Sequence, residues 1–452
     1  MKYLLFFSIF FITKVWANEN FPGGSGTTSD ISVLAFSHPL SGVRNQERRD
    51  FVVGNSFFQT VWVTSPSSTP LRDGLGPTYN ATSCTACHFR DGRGRGLPEV
   101  SGRVDISLLF RLREKKEGFV ARELENYGGQ FNPHSIGGVQ GEGTVVVDFE
   151  SITGEFLDGE KYELKKPLYI FKDLKFGEFP SATIVSPRVG PQMIGLGLIE
   201  NIKSEDILKN EDPYDIDGDG ISGRANKVYS LLLRQKTLGR FGWKAGKSSL
   251  MEQNAAAFHG DIGITSTLHQ EEDCPVIQID CKKNMTIEDI SDELLEKVTI
   301  YTQLLAVPVR RKLSELDEID GKKVFNQLNC NVCHRETYQT GNNSRFDVLN
   351  QQAIYPYSDF LLHDMGDGLA DDMGNFKIEE DATAREWRTP PLWGIGLIPT
   401  VNRHSRYLHD GRARDLNEAI LWHGGEAQKS KENYLKLKKS ERESLINFLN
   451  SL

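Results

Sequence analysis

The sequence predicts a mainly α-helical protein with a β-containing insertion. Three local patterns support this fold class. Apolar residues recur with a helical period between Leu316 and Leu328, and again near the end of the chain after a capping box formed by Ser440 and Glu443. Earlier in the chain, strand-like residues on both sides of a turn at 157–159 predict a β-hairpin.

Composition limits the classes of protein that remain. The chain has 452 residues, of which 38% are hydrophobic and 25% charged, so we expect a globular protein with at least one large core. Lys and Arg number 53 against 62 Asp and Glu, a net charge of −9, which argues against a nucleic-acid partner but permits a small basic protein partner. Six cysteines are too few for a disulfide scaffold.

The first 17 residues have the features of a secretory signal peptide. Lys2 precedes an apolar run from Tyr3 to Ile12, and Ala17 is a small residue suited to cleavage. A retained membrane anchor is the alternative, but the run is well short of the ~20 residues that span a bilayer, and Lys14 interrupts it. We therefore expect cleavage after Ala17, export to the periplasm and no membrane span in the mature chain.

Four of the cysteines lie in two copies of one motif. Residues 84–88 and 330–334 both read Cys-x-x-Cys-His, in which two thiols attach haem covalently and the histidine reaches the iron. A thioredoxin-like pair does not need the histidine, a zinc site shared by pairs so far apart is improbable, and a disulfide across two residues is strained. The motifs therefore predict two covalently bound haem c groups. The predicted haem-binding residues are Cys84, Cys87, His88, Cys330, Cys333 and His334, with His88 and His334 as iron ligands.

The remaining two cysteines are Cys274 and Cys281. Neither is followed by a histidine, and six residues separate them. A local disulfide in an exported protein is the favoured interpretation, and a redox-active pair is the alternative.

A sixth ligand decides whether a haem transfers electrons or offers an open iron. Met365 and Met373 are the methionines that follow the second motif, so either is a candidate for the second haem. His259 and His134 are candidates for either haem. The alternative for each is an ordinary role in the core or in a hydrogen bond.

Other polar residues receive a structural interpretation. His363 and His409 each precede an aspartate, which suggests imidazoles held by a carboxylate or a turn rather than iron ligands. The charged residues that follow the first motif are expected to be solvated. These are Arg93, Arg95, Glu99 and Glu142.

An acidic loop is a candidate calcium site. Asp215, Asp217 and Asp219 alternate before Gly220, a pattern that can wrap oxygen ligands around Ca²⁺. The twelfth position from Asp215 is an asparagine rather than the bidentate glutamate of an EF-hand. A bare turn without metal is therefore the alternative.

Five stretches of the chain resemble the bacterial di-haem oxidoreductase family, whose members have been labelled thiol oxidoreductases or peroxidases. Further short segments are more distantly similar to the C-terminal half of di-haem cytochrome c peroxidases and of a related enzyme that matures a tryptophan-derived quinone. The stretches that carry the family resemblance are 84–94, 219–224, 241–244, 260–265 and 386–393. The distant segments are 363–366, 388–392 and 408–413.

The resemblance implies two cytochrome c-like haem lobes, with one haem that receives electrons and one that reacts with peroxide, and often calcium between them. In the peroxidases a methionine just before a Pro-x-Leu element ligates the electron-entry haem, whereas this chain has Arg385, Glu386 and Trp387 at that place. We divide the chain accordingly into a signal peptide at 1–17, a flexible leader at 18–30, a first haem c lobe at 31–143, a middle β-containing segment at 144–311 that holds the candidate calcium loop and disulfide, and a second haem lobe at 312–452.

The function expected from the motifs and the resemblance is an exported di-haem oxidoreductase of peroxidase type. A small redox protein such as a basic cytochrome, or a quinone-linked donor, would reduce one haem, and peroxide or another small substrate would react at the other. Trp387 or Trp393 would assist the transfer between haems. The alternatives are a non-catalytic electron carrier and a haem oxygenase acting on an organic substrate.

Overall fold

The computed structural model describes residues 18–118, 120–283, 289–312 and 315–452, without the side chains of 315–319. The predicted signal peptide lies outside the described residues. Thirteen α-helices, α1 to α13, are present in this part of the chain. In chain order they are Asn45–Gln59, Cys84–Cys87, Leu196–Glu200, Ser204–Leu208, Leu250–Ala257, Ile279–Lys283, Asp292–Leu304, Glu315–Gln327, Cys330–Cys333, Ile398–Asn402, Leu416–Trp422, Gln428–Tyr434 and Lys439–Ser451.

Sixteen strands, β1 to β16, occur in the described residues and pair into seven small sheets. In chain order they are Thr78–Tyr79, Gly102–Arg103, Leu108–Lys115, Ala121–Arg122, His134–Ser135, Thr144–Glu155, Lys161–Lys172, Thr183–Val189, Lys227–Ser230, Gln235–Leu238, Tyr338–Gln339, Ala353–Ile354, Leu362–Asp364, Lys377–Glu379, Ala382–Thr383 and Glu386–Arg388.

The prediction of a mainly α-helical fold is wrong. The chain is 28% helical and 21% strand, and strands occur from β1 to β16 rather than in one insertion. Ten of the strands have only two or three residues, and all ten lie outside the middle segment 144–311. A strand of this length is too short to show a period-two pattern. Their pairing depends on partners that are distant in sequence, so the local pattern does not reveal them.

The larger sheets bring the middle of the chain to the cysteine motifs. The predicted hairpin is present as β6 and β7, antiparallel from Thr144 opposite Lys172 to Glu155 opposite Lys161. In a second sheet, β3 pairs antiparallel with β8. The end of β8 leads directly to Gly190 and Pro191, which lie beside the first motif.

Two predicted helices are present in the last part of the chain. Helix α8 leads to the second motif and packs on α13, with Val324 and Leu328 buried. The capping box of α13 begins earlier than predicted, because the Glu441 carboxylate, rather than that of Glu443, accepts the backbone N–H of Lys438 at 2.9 Å. The apolar face of α13 is buried as expected from its spacing, including Leu445 and Phe448. None of the described helices is long and apolar enough to cross a membrane.

A single cluster of buried apolar side chains draws on all three predicted segments. Phe36, Tyr301 and Phe448 belong to it, one from each segment. Helix α1 packs on α7, and the backbone of Gly195 donates a hydrogen bond to Leu305 O at 3.0 Å. The segments therefore share one core.

Residues 18–30 are packed against the core, in contrast to the predicted flexible leader. Gly24–Gly26 form a 3₁₀ turn, and Thr28 forms a bridge with Pro308. A Cβ at Gly26 would lie 2.5 Å from the Leu40 side chain, so this glycine allows close approach. The small residues in this stretch serve contact rather than flexibility.

Glu142 is fully buried, so the expectation of a solvated charge is wrong for it. Its Oε2 accepts the backbone N–H of Asn132 at 2.6 Å, and its Oε1 accepts the Gln278 amide at 2.6 Å. Burial outweighs these donors and raises the pKa of Glu142 to about 8.

We predict that Glu142→Gln flattens the pH dependence of stability. Because the folded state holds this proton up to about pH 8 while an unfolded glutamate loses it near its ordinary pKa of about 4.3, the wild-type free energy of unfolding falls as pH rises between these values. The variant lacks that loss, and by pH 9 the difference is on the order of a few kcal/mol. Urea unfolding at pH 5 and pH 9 measures it. Glu117→Gln, at an exposed site, is the control, and equal slopes in all three proteins would contradict the prediction.

Candidate di-haem site

The two Cys-x-x-Cys-His segments have the same local structure. Each pair of cysteines spans one four-residue helix, α2 or α9. The backbone N–H of His88 donates to Cys84 O at 2.9 Å, and that of His334 donates to Cys330 O at 2.9 Å. This turn places both thiols and the imidazole of each motif at one cavity wall.

The two histidine rings are held in the same way. Nδ1 of His88 donates to Pro191 O at 2.7 Å, and Nδ1 of His334 donates to Tyr357 O at 3.0 Å. A carbonyl only accepts, so Nε2 of each ring carries the free lone pair that a metal requires. Burial lowers the pKa of both rings, that of His334 to about 4, and keeps them neutral.

None of the four thiols forms a disulfide, and each of these cysteines is partly buried. Burial raises the pKa of Cys84 and of Cys330 to about 12. Reactive or zinc-binding cysteines have a lowered thiol pKa, which is the opposite of what is found here. Neutral, sheltered thiols fit thioether anchors better than they fit a redox pair or a zinc site.

Each motif borders its own cavity. The first cavity has a volume of about 200 Å³ and the second about 190 Å³. A Cβ at Gly190 would lie 3.0 Å from Cε1 of His88, so only glycine leaves this ring its position in the first cavity. The residues present therefore fit a haem group at each motif, anchored by two thiols and one neutral imidazole.

His423 lines the second cavity together with His334. Its Nδ1 donates to Ala419 O at 2.7 Å, and among the described residues its Nε2 has no hydrogen-bond partner. After burial, the nearness of His423 is the largest influence that lowers the pKa of His334. The two free imidazole nitrogens thus share one enclosed space.

Sequence reasoning missed His423, although a signal was present. Leu416, Ala419, Ile420 and His423 have the i, i+3, i+4, i+7 spacing of one helical face, and all four line the second cavity. A histidine on an otherwise apolar face of α11 was the available indication.

The structure separates the two methionine candidates. Met365 lines the second cavity, together with His423. Met373 is 65% exposed and is not among the residues described at either cavity, so it is not placed to ligate a haem.

The two histidine candidates lie away from both cavities in the described part of the chain. Nε2 of His259 bonds to Glu271 O at 2.8 Å, and its ring stacks on that of His269 at 4.8 Å. His134, in β5, stacks on Tyr79 at 5.7 Å. Neither ring lines a cavity, and each makes other contacts. The expectation that His259 or His134 is an iron ligand is therefore corrected.

His363 and His409 border the second cavity but in different roles. His363 is clamped between two carboxylates, Asp359 at 2.8 Å and Glu426 at 2.6 Å, so both ring nitrogens are engaged. Despite its burial, these carboxylates and the nearby Cys333 raise the pKa of His363 well above the ordinary value. His409 stacks on the indole of Trp387 with ring centroids 3.7 Å apart.

The first cavity differs in chemistry, because carboxylates line it, those of Asp261 and Glu379, whereas no Asp or Glu is among the described lining residues of the second. Among its described lining residues the only imidazole is that of His88. Glu379 forms an ion pair with Arg188. Burial opposes ionisation of Glu379, but the guanidinium of Arg188 outweighs it and lowers the carboxyl pKa to about 2. The other polar lining residues include Arg111, Lys247 and Gln253.

The two cavities adjoin. Trp243 borders both, and its indole Nε1 donates to Val189 O at 2.7 Å. Arg93 lies over the Trp243 ring at 5.2 Å and is buried, so the expectation that it is solvated is wrong. The other residues shared by both cavities are Gln192, Arg388, Pro390 and Pro391.

Trp243 borders both cavities, where Trp387 or Trp393 is expected from the sequence. Trp387 borders only the second cavity, and Trp393 is not among the residues described at either one. Lys244 Nζ lies 3.7 Å above the Trp387 ring. A cation in this position disfavours removal of an electron from that indole.

The acidic loop brings together a different trio from the predicted one. Ligand atoms of Asp212, Asp215 and Asp217 lie within 4.8 Å of one another. Asp215 has a left-handed backbone conformation, with φ of 47°, which turns the chain back toward Asp212. The carboxylate of Asp219 lies outside this trio and accepts the Ile221 N–H at 2.8 Å.

Cys274 and Cys281 form a disulfide with Cα atoms 5.6 Å apart. It closes a loop just before α6 ends. Both cysteines are therefore removed from the thiols that face the cavities.

Two cavities, each lined by a thiol pair and a neutral imidazole, define a di-haem redox protein. A family model described as "Di-haem oxidoreductase, putative peroxidase" matches residues 17–114 and 131–452. The chain belongs to this di-haem oxidoreductase family, as the sequence resemblance indicated, and takes two haem groups.

Other comparisons add little. No curated protein matches the chain. Among solved structures, hydrazine synthase of Kuenenia stuttgartiensis, studied under 20 bar xenon, aligns over 92% of this chain and 93% of its own with 14% identity and a TM-score of 0.32. A TM-score of this size does not establish a shared fold.

Proposed function

We propose that the protein is an exported di-haem c oxidoreductase of peroxidase type, in which the haem at His88 reacts with peroxide and the haem at His334 relays electrons. The observation that carries this proposal is the contrast between the cavities. A second imidazole, that of His423, lines the cavity of His334 and lies near that ring, whereas carboxylates, among them that of Glu379, line only the cavity of His88.

The haem groups, when bound, supply iron that exchanges electrons and, where a coordination position is open, binds peroxide. The chain would hold them covalently through Cys84 and Cys87, and through Cys330 and Cys333. The uniform burial and protonation of these thiols support thioether formation.

In the first cavity the protein would handle the proton of the substrate. Glu379 is ionised at neutral pH, so its carboxylate oxygens can accept a proton from peroxide and return it to the departing oxygen. Arg188 holds this carboxylate in place and contributes positive charge where negative charge develops. Both side chains are fixed before substrate arrives.

In the second cavity two imidazoles would satisfy the iron and close it to substrate. Trp243 lies between the cavities and would shorten the electron path from the second to the first. A small redox protein, such as a basic cytochrome, is the donor we propose, because the chain carries a net charge of −9. Export is supported by residues 1–17 and by the disulfide, which suits an oxidising compartment.

Carbon monoxide and peroxide together test this function. The reduced protein is expected to bind one carbon monoxide per two haems, and to turn over hydrogen peroxide with a reduced cytochrome c as donor. Binding to neither haem would indicate a simple electron carrier. Carbon monoxide binding without peroxide turnover, but with oxygen consumption on an organic substrate, would indicate an oxygenase.

We also propose that Ca²⁺ binds the trio of Asp212, Asp215 and Asp217. At a concentration of 100 times its dissociation constant, calcium should raise the free energy of unfolding by about 2.7 kcal/mol. Calorimetry with calcium and with chelator measures this effect. Asp217→Asn should remove the response, while Asp219→Asn, outside the trio, should retain most of it. If calcium does not change the melting temperature of the wild-type protein, the loop is a turn without bound metal.

A further inference from the structure

The hairpin of β9 and β10 carries an apolar tip that the function above does not use. Its strands pair antiparallel from Lys227 opposite Leu238 to Ser230 opposite Gln235. A four-residue turn, 231–234, joins them and contains three consecutive leucines. Arg234 takes the left-handed conformation, with φ of 53°, that closes the turn.

These leucines face solvent. Leu231, Leu232 and Leu233 are 40%, 49% and 60% exposed, and Tyr229 just before them is 51% exposed. Three adjacent leucines on a convex turn form no groove into which a peptide could fit. An apolar projection with an aromatic residue behind it is typical of segments that enter the interface of a bilayer.

The tip is held in this shape by a buried carboxylate. Oε1 of Glu252 accepts the backbone N–H of Leu231 at 2.6 Å and the Ser230 hydroxyl at 2.9 Å. Ser249 donates to Oε2 of the same glutamate at 3.0 Å. The leucines are therefore displayed by a braced turn rather than by a loose loop.

The exposed charges carried by the hairpin itself are all positive. Lys227, Arg234 and Lys236 are exposed, and residues 227–238 include no acid. Within the described part of the chain none of these three forms an ion pair. Asp381, on which Lys236 acts, is already paired with Lys377 at 2.6 Å. On a chain of net charge −9, this local excess of positive charge favours an anionic surface.

Another exposed apolar stretch has the opposite surroundings. Val276, Ile277 and Ile279 are exposed, but acids at 271–273 and Asp280 flank them. An anionic bilayer would repel that stretch. Of these two stretches, the hairpin is the one that combines an apolar tip with a basic flank.

We propose that the β9–β10 tip docks this protein onto an anionic lipid bilayer. The leucines enter the headgroup region, and the three basic side chains meet the lipid phosphates. From β10 the chain continues directly into 240–243, which line the first cavity, and α5, which carries Glu252, lines it as well. Docking therefore brings the wall of the first cavity toward the membrane surface.

Vesicle co-sedimentation of the full holoprotein tests this docking. We expect binding to vesicles of phosphatidylglycerol and phosphatidylethanolamine, several-fold weaker binding to pure phosphatidylcholine, and loss of binding at high salt. The double variant Leu232→Ser with Leu233→Ser should bind the anionic vesicles at least tenfold less. Its haem spectrum should be unchanged, because the substituted side chains are exposed.

The matched control is Leu157→Ser. Leu157 is 78% exposed at the tip of the β6–β7 hairpin, where Asp158 and Glu160 flank it, and its loss should leave vesicle binding unchanged. The proposal is overturned if wild type does not bind anionic vesicles or if the double variant binds as wild type does. It is also overturned if the leucines prove to hold two copies together, seen as a dimer that the double variant dissociates without any lipid binding.

Discussion

In the Glu379→Gln variant, peroxide turnover is expected to fall by about 10²- to 10⁴-fold, the usual contribution of a positioned acid–base group. The amide keeps the size of the side chain but cannot take the proton from peroxide. Stopped-flow measurement of peroxide consumption, with the donor in excess, gives the rate. The spectra of both haems should remain those of wild type, which separates loss of chemistry from loss of fold.

Glu380→Gln is the control for this prediction, because Glu380 is the adjacent residue and is exposed. The low pKa of Glu379, about 2, has a further consequence. Between about pH 4 and 8 the wild-type rate should show no loss that traces to this carboxylate. Turnover that is unchanged in Glu379→Gln would assign the proton transfer to another group in the cavity.

Substitution of His423 by alanine is expected to open the second haem. His334 and His423 would hold the iron of the second haem together, so removal of the His423 imidazole would leave a coordination position open to an external ligand and would shift that iron to high spin. Carbon monoxide bound per reduced molecule should rise from one to two. Titration followed by absorbance in the Soret region, with electron paramagnetic resonance of the oxidised protein, measures both changes.

Met365→Ala distinguishes the imidazole from the thioether that lines the same cavity. It should retain binding of one carbon monoxide and the low-spin signal of the second haem. If Met365→Ala binds two and His423→Ala binds one, the thioether is the ligand. Electron transfer from the donor to the first haem should be slower in His423→Ala. A relay haem whose ligands change on reduction has to reorganise its coordination before it passes the electron on.

Local sequence patterns were sufficient where the interacting residues are neighbours in the chain. The spacing of residues 84–88 and 330–334 predicts that the thiols and the imidazole of each motif serve one haem, and the structure places the three side chains of each motif at one cavity. The alternation around 157–159 similarly predicts the β6–β7 hairpin. In these cases one turn or one strand pair contains the whole pattern.

The prediction of the fold class was wrong for a physical reason that also affected the prediction of iron ligands. Strands as short as β13 and β16, which pair His363 with Trp387, have no period of their own and form only when the chain folds back. The candidate iron ligands and proton-transfer groups likewise come together only when the chain folds back. The residue types and positions of His259 and Met373 make both of them candidate ligands. In the structure neither lines a cavity, because His259 is hydrogen-bonded to Glu271 O and Met373 is exposed.

The sequence by itself determined the family and predicted the two cysteine pairs and histidines that would hold the haem groups, because each motif is written in a few contiguous residues. Only the tertiary structure decided what lies across from each histidine. It places His423, 89 positions after His334 (423 − 334), in the second cavity, and Glu379 from the far end of the chain in the first. Which side chains meet over a haem depends on how distant segments pack in one core, and no local pattern encodes that packing.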